Sequence, residues 1–204
     1  MAKNANKALP NAHRFITAIT GGGKTQAIMN LIKSSKRAAF WDPDKDHNCK
    51  HFTDKQAFLK ALQGVMAKGG RIGWAGDDDE ATFEWFMMAI WAALDGTKLL
   101  DVIVEEAADV GLKQTMPKWT GKVWRRARKY GGILTVGTQR VQEVPKAFIT
   151  QAGVTYIGIQ KANDQHYIKR QTGLAPQKMG ALEPLNFYKM EGNDTEKVKF
   201  KYIG

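Results

Sequence analysis

Residues Ala18-Ile19-Thr20-Gly21-Gly22-Gly23-Lys24-Thr25 constrain this chain more than any other stretch. They close an apolar run, His13 to Thr20, that reads as a buried strand, and they open a helix-like run from Lys24 to Ser35. A strand, a glycine turn and a helix in that order form a cradle for phosphate. Successive glycines let backbone N–H groups point inward with no side chain in the way, and the helix start adds partial positive charge. Thr20, Gly21, Gly22, Gly23 and Gln26 are therefore expected around a nucleotide. Lys24 is expected to reach the β- and γ-phosphates of ATP, and the Thr25 hydroxyl to hold Mg2+. The usual pattern opens with glycine where this chain has Ala18, the smallest side chain that could replace it.

The rest of the 204 residues alternates strand and helix patterns. Arg37 to Trp41 reads as a strand ended by the turn Asp42-Pro43-Asp44. Thr53 to Lys68 has helical apolar spacing, Gly69-Gly70 stops it, and Arg71 to Ala75 reads as a strand. An apolar helix from Asp78 to Leu94, a strand from Leu99 to Val104 and a basic helix from Pro117 to Tyr130 come next. Strands at Gly132 to Gly137 and Val154 to Ile159 precede a short helix from Asp164 to Thr172. Asn186 to Met190 and Lys197 to Ile203 read as a hairpin around Glu191-Gly192-Asn193-Asp194. This order predicts an α/β fold: a mostly parallel sheet flanked by helices, with a C-terminal β-hairpin at its edge. Residues 1–12 read as a flexible basic leader and 13–204 as one domain.

Charge and composition narrow the function classes. Lys and Arg number 31 against 20 Asp and Glu, a net charge of +11, which suggests a polyanionic partner, with nucleic acid first. Apolar residues make up 43%, so the chain is no disordered basic tail. Its longest uncharged apolar stretch, Trp85 to Leu94, is too short to cross a bilayer, and no apolar segment follows the early lysines as a secretion signal requires. Cys49 is the only cysteine, which excludes an intrachain disulfide and a zinc site of several thiolates. A soluble, intracellular protein is the expectation.

Hydrolysis of ATP needs a carboxylate near the metal and a second to activate water. Leu99-Leu100-Asp101-Val102-Ile103-Val104-Glu105-Glu106 ends in both. Glu105 is expected beside Mg2+ through its water shell, and Glu106 as general base. Asp is more common in the first of these positions. The next strand ends Gly137-Thr138-Gln139-Arg140, where Gln139 could sense the γ-phosphate or orient water. Between these strands, Trp119, Val123, Ala127 and Tyr130 share one helical face, and Lys118, Lys122, Arg125 and Lys129 another. Some of the cations form a solvated face. Arg125 or Arg128 could instead enter a neighbouring subunit's ATP site, where such an arginine contributes about 10³–10⁵ in rate. The Gly111 to Lys122 segment is the stretch expected to touch DNA phosphates.

The order TGGGKT, FWDPD, VIVEEA and RKYGGILTVGTQRVQEVPK resembles the FtsK/HerA superfamily of P-loop ATPases over about residues 13–172, and the closing hairpin also fits. That family comprises oligomeric, mostly hexameric motors that drive DNA or protein through a central pore. The resemblance implies that Lys24 and Thr25 hold nucleotide and Mg2+, that Glu105 and Glu106 form the acidic motif, and that Gln139 is the sensor. Arg128 matches the arginine of the family's Arg-Lys-aromatic-Gly stretch, and the choice between it and Arg125 stays open. Cellular members carry membrane spans or further domains. This chain is similar instead to the minimal genome-packaging ATPases of tailless, membrane-containing icosahedral viruses. That likeness implies double-stranded DNA, capsid or membrane-vertex proteins as partners, and a place in the host cytoplasm or the virion.

Other features read more plainly. Asp46-His47-Asn48-Cys49-Lys50-His51 is a conceivable metal clip, but its lysines, missing fourth ligand and loop setting favour a solvated turn. Asp77-Asp78-Asp79-Glu80 is better explained as a helix cap than as a cation site. Trp85, Phe86, Met88, Ile90 and Trp91 are expected in the core, with a subunit interface as the lesser reading. Asp42 suits a turn, or an approach to nucleotide or a neighbour. Two other functions fit a phosphate loop: a small nucleotide or metabolite kinase, and an ATP-binding assembly protein without turnover. The acidic pair and the polar strand end argue for attack by water.

Overall fold

The structure, a computed structural model, describes residues 1–112 and 114–203; Lys113, part of the expected DNA-contacting segment, and Gly204 lie outside them. In chain order the elements are β1 (Arg14–Thr17), α1 (Lys24–Leu31), β2 (Arg37–Trp41), β3 (Lys50–Phe52), α2 (Lys55–Lys68), β4 (Gly70–Trp74), α3 (Glu80–Ala93) and β5 (Leu100–Val104). There follow α4 (Lys118–Arg126), a 3-10 turn (Ala127–Tyr130), β6 (Gly132–Thr138), α5 (Ala147–Thr150), β7 (Val154–Ile157), α6 (Ala162–Thr172), α7 (Pro176–Gly180), β8 (Asn186–Glu191) and β9 (Asp194–Lys199). The fold is α/β and mostly parallel, with an antiparallel hairpin at the C-terminal end. Contacts cluster in two units. One holds Met1–Asn11, Ser34–Glu105 and Met116–Leu134, and the other Ala12–Lys33, Glu106–Thr115 and Thr135–Gly204.

The first unit carries strands in the order β3-β4-β2-β5, all parallel. β5 is buried at every position, which is why it reads as a continuous apolar run rather than an alternation. Its one charged residue, Asp101, accepts a hydrogen bond from Ser35 Oγ at 2.6 Å. Helices α2 and α3 bury an aromatic cluster over the strands. Phe58 meets Trp74, Trp85 and Phe86 at 5.6–5.9 Å between ring centroids, and Trp41 meets Phe83 edge-on at 5.0 Å. Edge-on aromatic pairs add to the burial itself, so this cluster fixes α3 by geometry as well as area. Phe86, Ile90 and Trp91 are core, as expected, whereas Met88 is exposed. Asp79 caps α3 by accepting from Thr82 N and Oγ1 at 3.0 and 2.8 Å, and these bonds lower its pKa.

Helix α4 starts after Pro117 with no cap of its own. Glu84 of α3 supplies one across space: its carboxylate accepts from Trp119 N, Thr120 N and Thr120 Oγ1 at 2.7, 2.7 and 2.6 Å. The buried face of α4 carries Thr120, Gly121, Val123 and Trp124, so Trp124 anchors the helix where Trp119 had been expected. Trp119 instead sits under Lys122 Nζ, 4.5 Å from its ring, and Lys122 also lies 4.7 Å over Trp91. Part of the cationic face is thus packed on aromatic rings rather than solvated.

The leader, expected to be flexible, is hydrogen-bonded within this unit. Lys3 N donates to Leu94 O, Asn6 N to Lys129 O, and Asn4 Nδ2 to Asp95 Oδ1 at 3.2, 2.7 and 3.0 Å.

The second unit carries β6-β1-β7-β8-β9. β6, which begins in the first unit, pairs in parallel with β1; β1 and β7 are also parallel, and β7, β8 and β9 run antiparallel. The hairpin is tighter than its pattern suggests. β8 reaches Glu191 and β9 starts at Asp194, leaving a two-residue loop in which Gly192 takes φ 58°. β9 therefore replaces the expected Lys197 to Ile203 strand. Its residues are mostly exposed, so apolar content alone marks it poorly. β3, α5 and α7 were not legible as elements, being three to five residues long.

Candidate active site

The phosphate loop forms between β1 and α1 as its glycines allow. Gly21 and Gly23 take φ 76° and 94°, a region that disfavours side chains, and Gly23 is the residue on which α1 begins. Gly22 N donates to Ile19 O at 2.9 Å, which closes the turn. Leu185, itself at φ 66°, packs on Gly23 and donates its N–H to Gly22 O at 3.1 Å.

Lys24 is buried at the helix start, and its Nζ lies 2.5 Å from Glu106 Oε2. Glu106 is held from a second side as well. Thr138 Oγ1 and the backbone N–H of Gln139 donate to its Oε1 at 2.8 and 3.0 Å. The segment after Glu106 is pinned to the same strand end by Ala107 N donating to Gly137 O at 2.9 Å. Thr20 Oγ1 donates to Gln139 Oε1 at 2.5 Å, so the sensor candidate touches the phosphate loop directly. Lys24, Glu106, Gln139 and Thr20 thus form one network inside the second unit.

A cleft of about 350 Å³ opens beside this network, lined by Thr20, Glu106, Asp109, Gln139, Arg140, Lys161 and Asp164. Arg140 is braced by Asp109 and by Glu143, the latter at 2.9 Å. A buried lysine, a carboxylate and a polar strand end beside an open cleft are side chains with which an anionic ligand could be held.

No family model matches the chain. Protein P9 of Pseudoalteromonas phage PM2 is 30% identical to it over 158 residues, which cover 76% of this chain and 72% of that protein. The chain belongs to the family of phage PM2 protein P9. Solved structures agree at the level of fold. The genome packaging NTPase B204 of Sulfolobus turreted icosahedral virus 2, in complex with AMPPCP, gives a TM-score of 0.72 at 17% identity, over 95% of this chain and 98% of that one. VirB4 of Thermoanaerobacter pseudethanolicus gives 0.73 at 12%, over 95% and 90%.

In this relative of protein P9, Ala18 has a local explanation. It is fully buried, and a Cβ at Gly22 or at Gly158 would each stand 2.9 Å from its Cβ. The extra methyl fits because both facing positions are glycine.

Glu105 is turned onto the first unit. Its Oε2 lies 2.8 Å from Nε2 of buried His47, a contact outside hydrogen-bond alignment that attracts when the imidazole is protonated. His47 belongs to a turn that the residue pattern assigns to solvent, so this partnership was missed. Gln26, expected near nucleotide, accepts from Ile203 N at 2.6 Å and so latches the C-terminal segment to α1. Asn30 Nδ2 reinforces the latch by donating to Lys201 O at 2.7 Å. Thr25 is partly exposed beside Lys24. Arg128 donates to Leu9 O at 2.7 Å, while the exposed Arg125 folds its guanidinium back over Gly121. Thr138 is a candidate that the residue pattern did not single out; a hydroxyl at the carboxyl end of a largely buried strand was its signal.

Proposed function

We propose that this chain is an ATP-hydrolysing motor that translocates double-stranded DNA, packaging a viral genome into a preformed capsid. The observation that carries the reading is the Lys24–Glu106 contact, with Glu106 also held by Thr138 and the Gln139 N–H. A triphosphate competes for Lys24 and frees the carboxylate to accept a proton from water. Gln139, bonded to Thr20, carries the state of the γ-phosphate to the β6 end. Its likeness to a genome packaging NTPase, and a net charge of +11, support the DNA part of the reading.

The hydroxyl of Thr25 and the carboxylate of Glu105 are hard oxygen donors of the kind Mg2+ takes, and we assign them to it, Glu105 through water. That ion would supply charge neutralisation on the phosphates. The His47 contact competes with the role of Glu105. The motor is assigned as a homo-oligomeric ring, a hexamer, docked on capsid or membrane-vertex proteins. Because Arg128 is committed to Leu9 O, Arg125 is the better placed arginine to act in a neighbour's site.

The test is phosphate release from ATP and Mg2+, with and without double-stranded DNA, in wild type, Lys24→Ala, Glu106→Gln and Arg125→Ala. DNA-stimulated turnover lost in the first two variants supports the motor. Arg125→Ala should keep nucleotide binding and lose about 10³-fold or more in rate. Turnover indifferent to DNA, or phosphate appearing on an acceptor molecule, would overturn the reading.

A further inference from the structure

The turn that leaves β2 gathers three different ligand chemistries at one point, and the phosphate site uses none of them. Asp42 follows β2, and Cys49 and His51 stand on either side of Lys50, the first residue of β3. The strand order is β3-β4-β2, so the side chains of Cys49 and His51 have to lie over β4 to meet Asp42. Gly73 makes this possible. It stands opposite His51 in register, and a Cβ there would lie 2.7 Å from His51 Cδ2 and 2.9 Å from Cys49 Sγ.

The three donors converge on a single ring nitrogen. His51 Nε2 is 2.6 Å from Asp42 Oδ2 and 3.5 Å from Cys49 Sγ, and the ligand atoms of all three residues lie within 4.8 Å of one another. A nucleophilic Cys-His-Asp relay would need the carboxylate on the other ring nitrogen, leaving Nε2 for the thiol. Here acid and thiol both face Nε2, so the three ligand atoms lie close enough together for one cation to reach them all. Asp42 is buried at 4% exposure and preset by accepting from Asp46 N and His47 N at 2.9 and 3.1 Å.

We propose that Asp42, Cys49 and His51 bind one Zn2+ ion, with water in the fourth position. One sulfur, one nitrogen and one oxygen donor suit a borderline-soft ion and disfavour Mg2+ or Ca2+. Tetrahedral Zn2+ with ordinary bond lengths separates its ligand atoms by about 3.3–3.6 Å. The Cys49–His51 separation of 3.5 Å already matches, and the 2.6 Å Asp42–His51 pair has to open by less than about 1 Å. The ion would tie β3 to the β2 turn, and that turn also carries His47 to Glu105.

The test uses the whole chain of 204 residues, chelator-stripped and reduced, without nucleotide, titrated with Co2+. One equivalent should produce a thiolate-to-cobalt charge-transfer band and the intense visible bands of four-coordinate cobalt. One equivalent of Zn2+ should abolish both, while excess Mg2+ leaves them. Cys49→Ser should lose the charge-transfer band, and His51→Gln should weaken binding at least about tenfold. In wild type alone, Zn2+ should protect Cys49 from iodoacetamide, a readout that survives if the variants do not fold. No charge-transfer band, a band that persists in Cys49→Ser, or alkylation unchanged by Zn2+ would each overturn the site.

Discussion

Lys24 Nζ sits 2.5 Å from Glu106 Oε2, so the cation assigned to phosphate and the carboxylate assigned to water neutralise each other. Both are largely buried, with 8% and 21% side-chain exposure, and removing one partner strands the other. Lys24→Ala should therefore lower nucleotide-free stability by about 1–3 kcal/mol, because Thr138 and the Gln139 N–H still satisfy part of Glu106. Glu106→Gln added to it should recover much of that loss. Denaturant unfolding of the two single variants and the double gives the coupling, and strict additivity would rule the pair out as a contributor.

Ala18 and Gly22 exclude any larger pair. Gly22→Ala puts a methyl 2.9 Å from the Ala18 Cβ and 3.0 Å from Ile19 O, and should cost nucleotide affinity at least about tenfold. Ala18→Gly alone should cost only about 1 kcal/mol of stability. Combined with Gly22→Ala it should restore part of the binding. Titration with a fluorescent ATP analogue reads all three variants, and no rescue in the double would move the cause to the Ile19 carbonyl.

Glu84 is expected to matter for stability, not chemistry. Glu84→Ala removes the acceptor for two N–H groups and one hydroxyl at the α4 start, at a cost of about 1–3 kcal/mol. Thermal unfolding should show the drop, with ATP binding unchanged at the folded plateau. A loss of affinity without a loss of stability would contradict this assignment.

Asp95 reports on the leader. The Asn4 side chain, then the Thr97 backbone N–H, hold its pKa down to about 2, against an ordinary 3.8. A depressed carboxylate stabilises the fold above 3.8, and that contribution disappears as pH falls through about 2. Asn4→Ala should raise the Asp95 midpoint toward 3.8 and move acid unfolding to higher pH. Carboxyl NMR titration follows it directly; an unmoved midpoint would mean that the leader does not hold Asp95.

The phosphate-loop candidates could be picked out because they are local in the chain. Gly21, Gly22, Gly23, Lys24 and Thr25 are consecutive, and backbone freedom followed by a cation and a hydroxyl has few other uses. The alternation of strands and helices predicted the parallel α/β fold for the same reason: hydrophobic period is a property of neighbours along the chain. Short elements such as β3 lack enough residues to express a period, and so the turn before it was read as solvated.

Partnerships at long range belonged to the tertiary structure. Lys24 and Glu106 are 82 positions apart, and Thr20 and Gln139 are 119 apart, so no spacing rule could pair them. The same holds for Glu84 capping α4 and for His47 meeting Glu105. The side chains of Cys49 and His51 lie over the strand between them and Asp42 because Gly73 there has no side chain of its own. Residue types determined what each group could do, while burial and strand order decided which groups would meet, because a contact depends on distance in space and sequence records only distance along the chain.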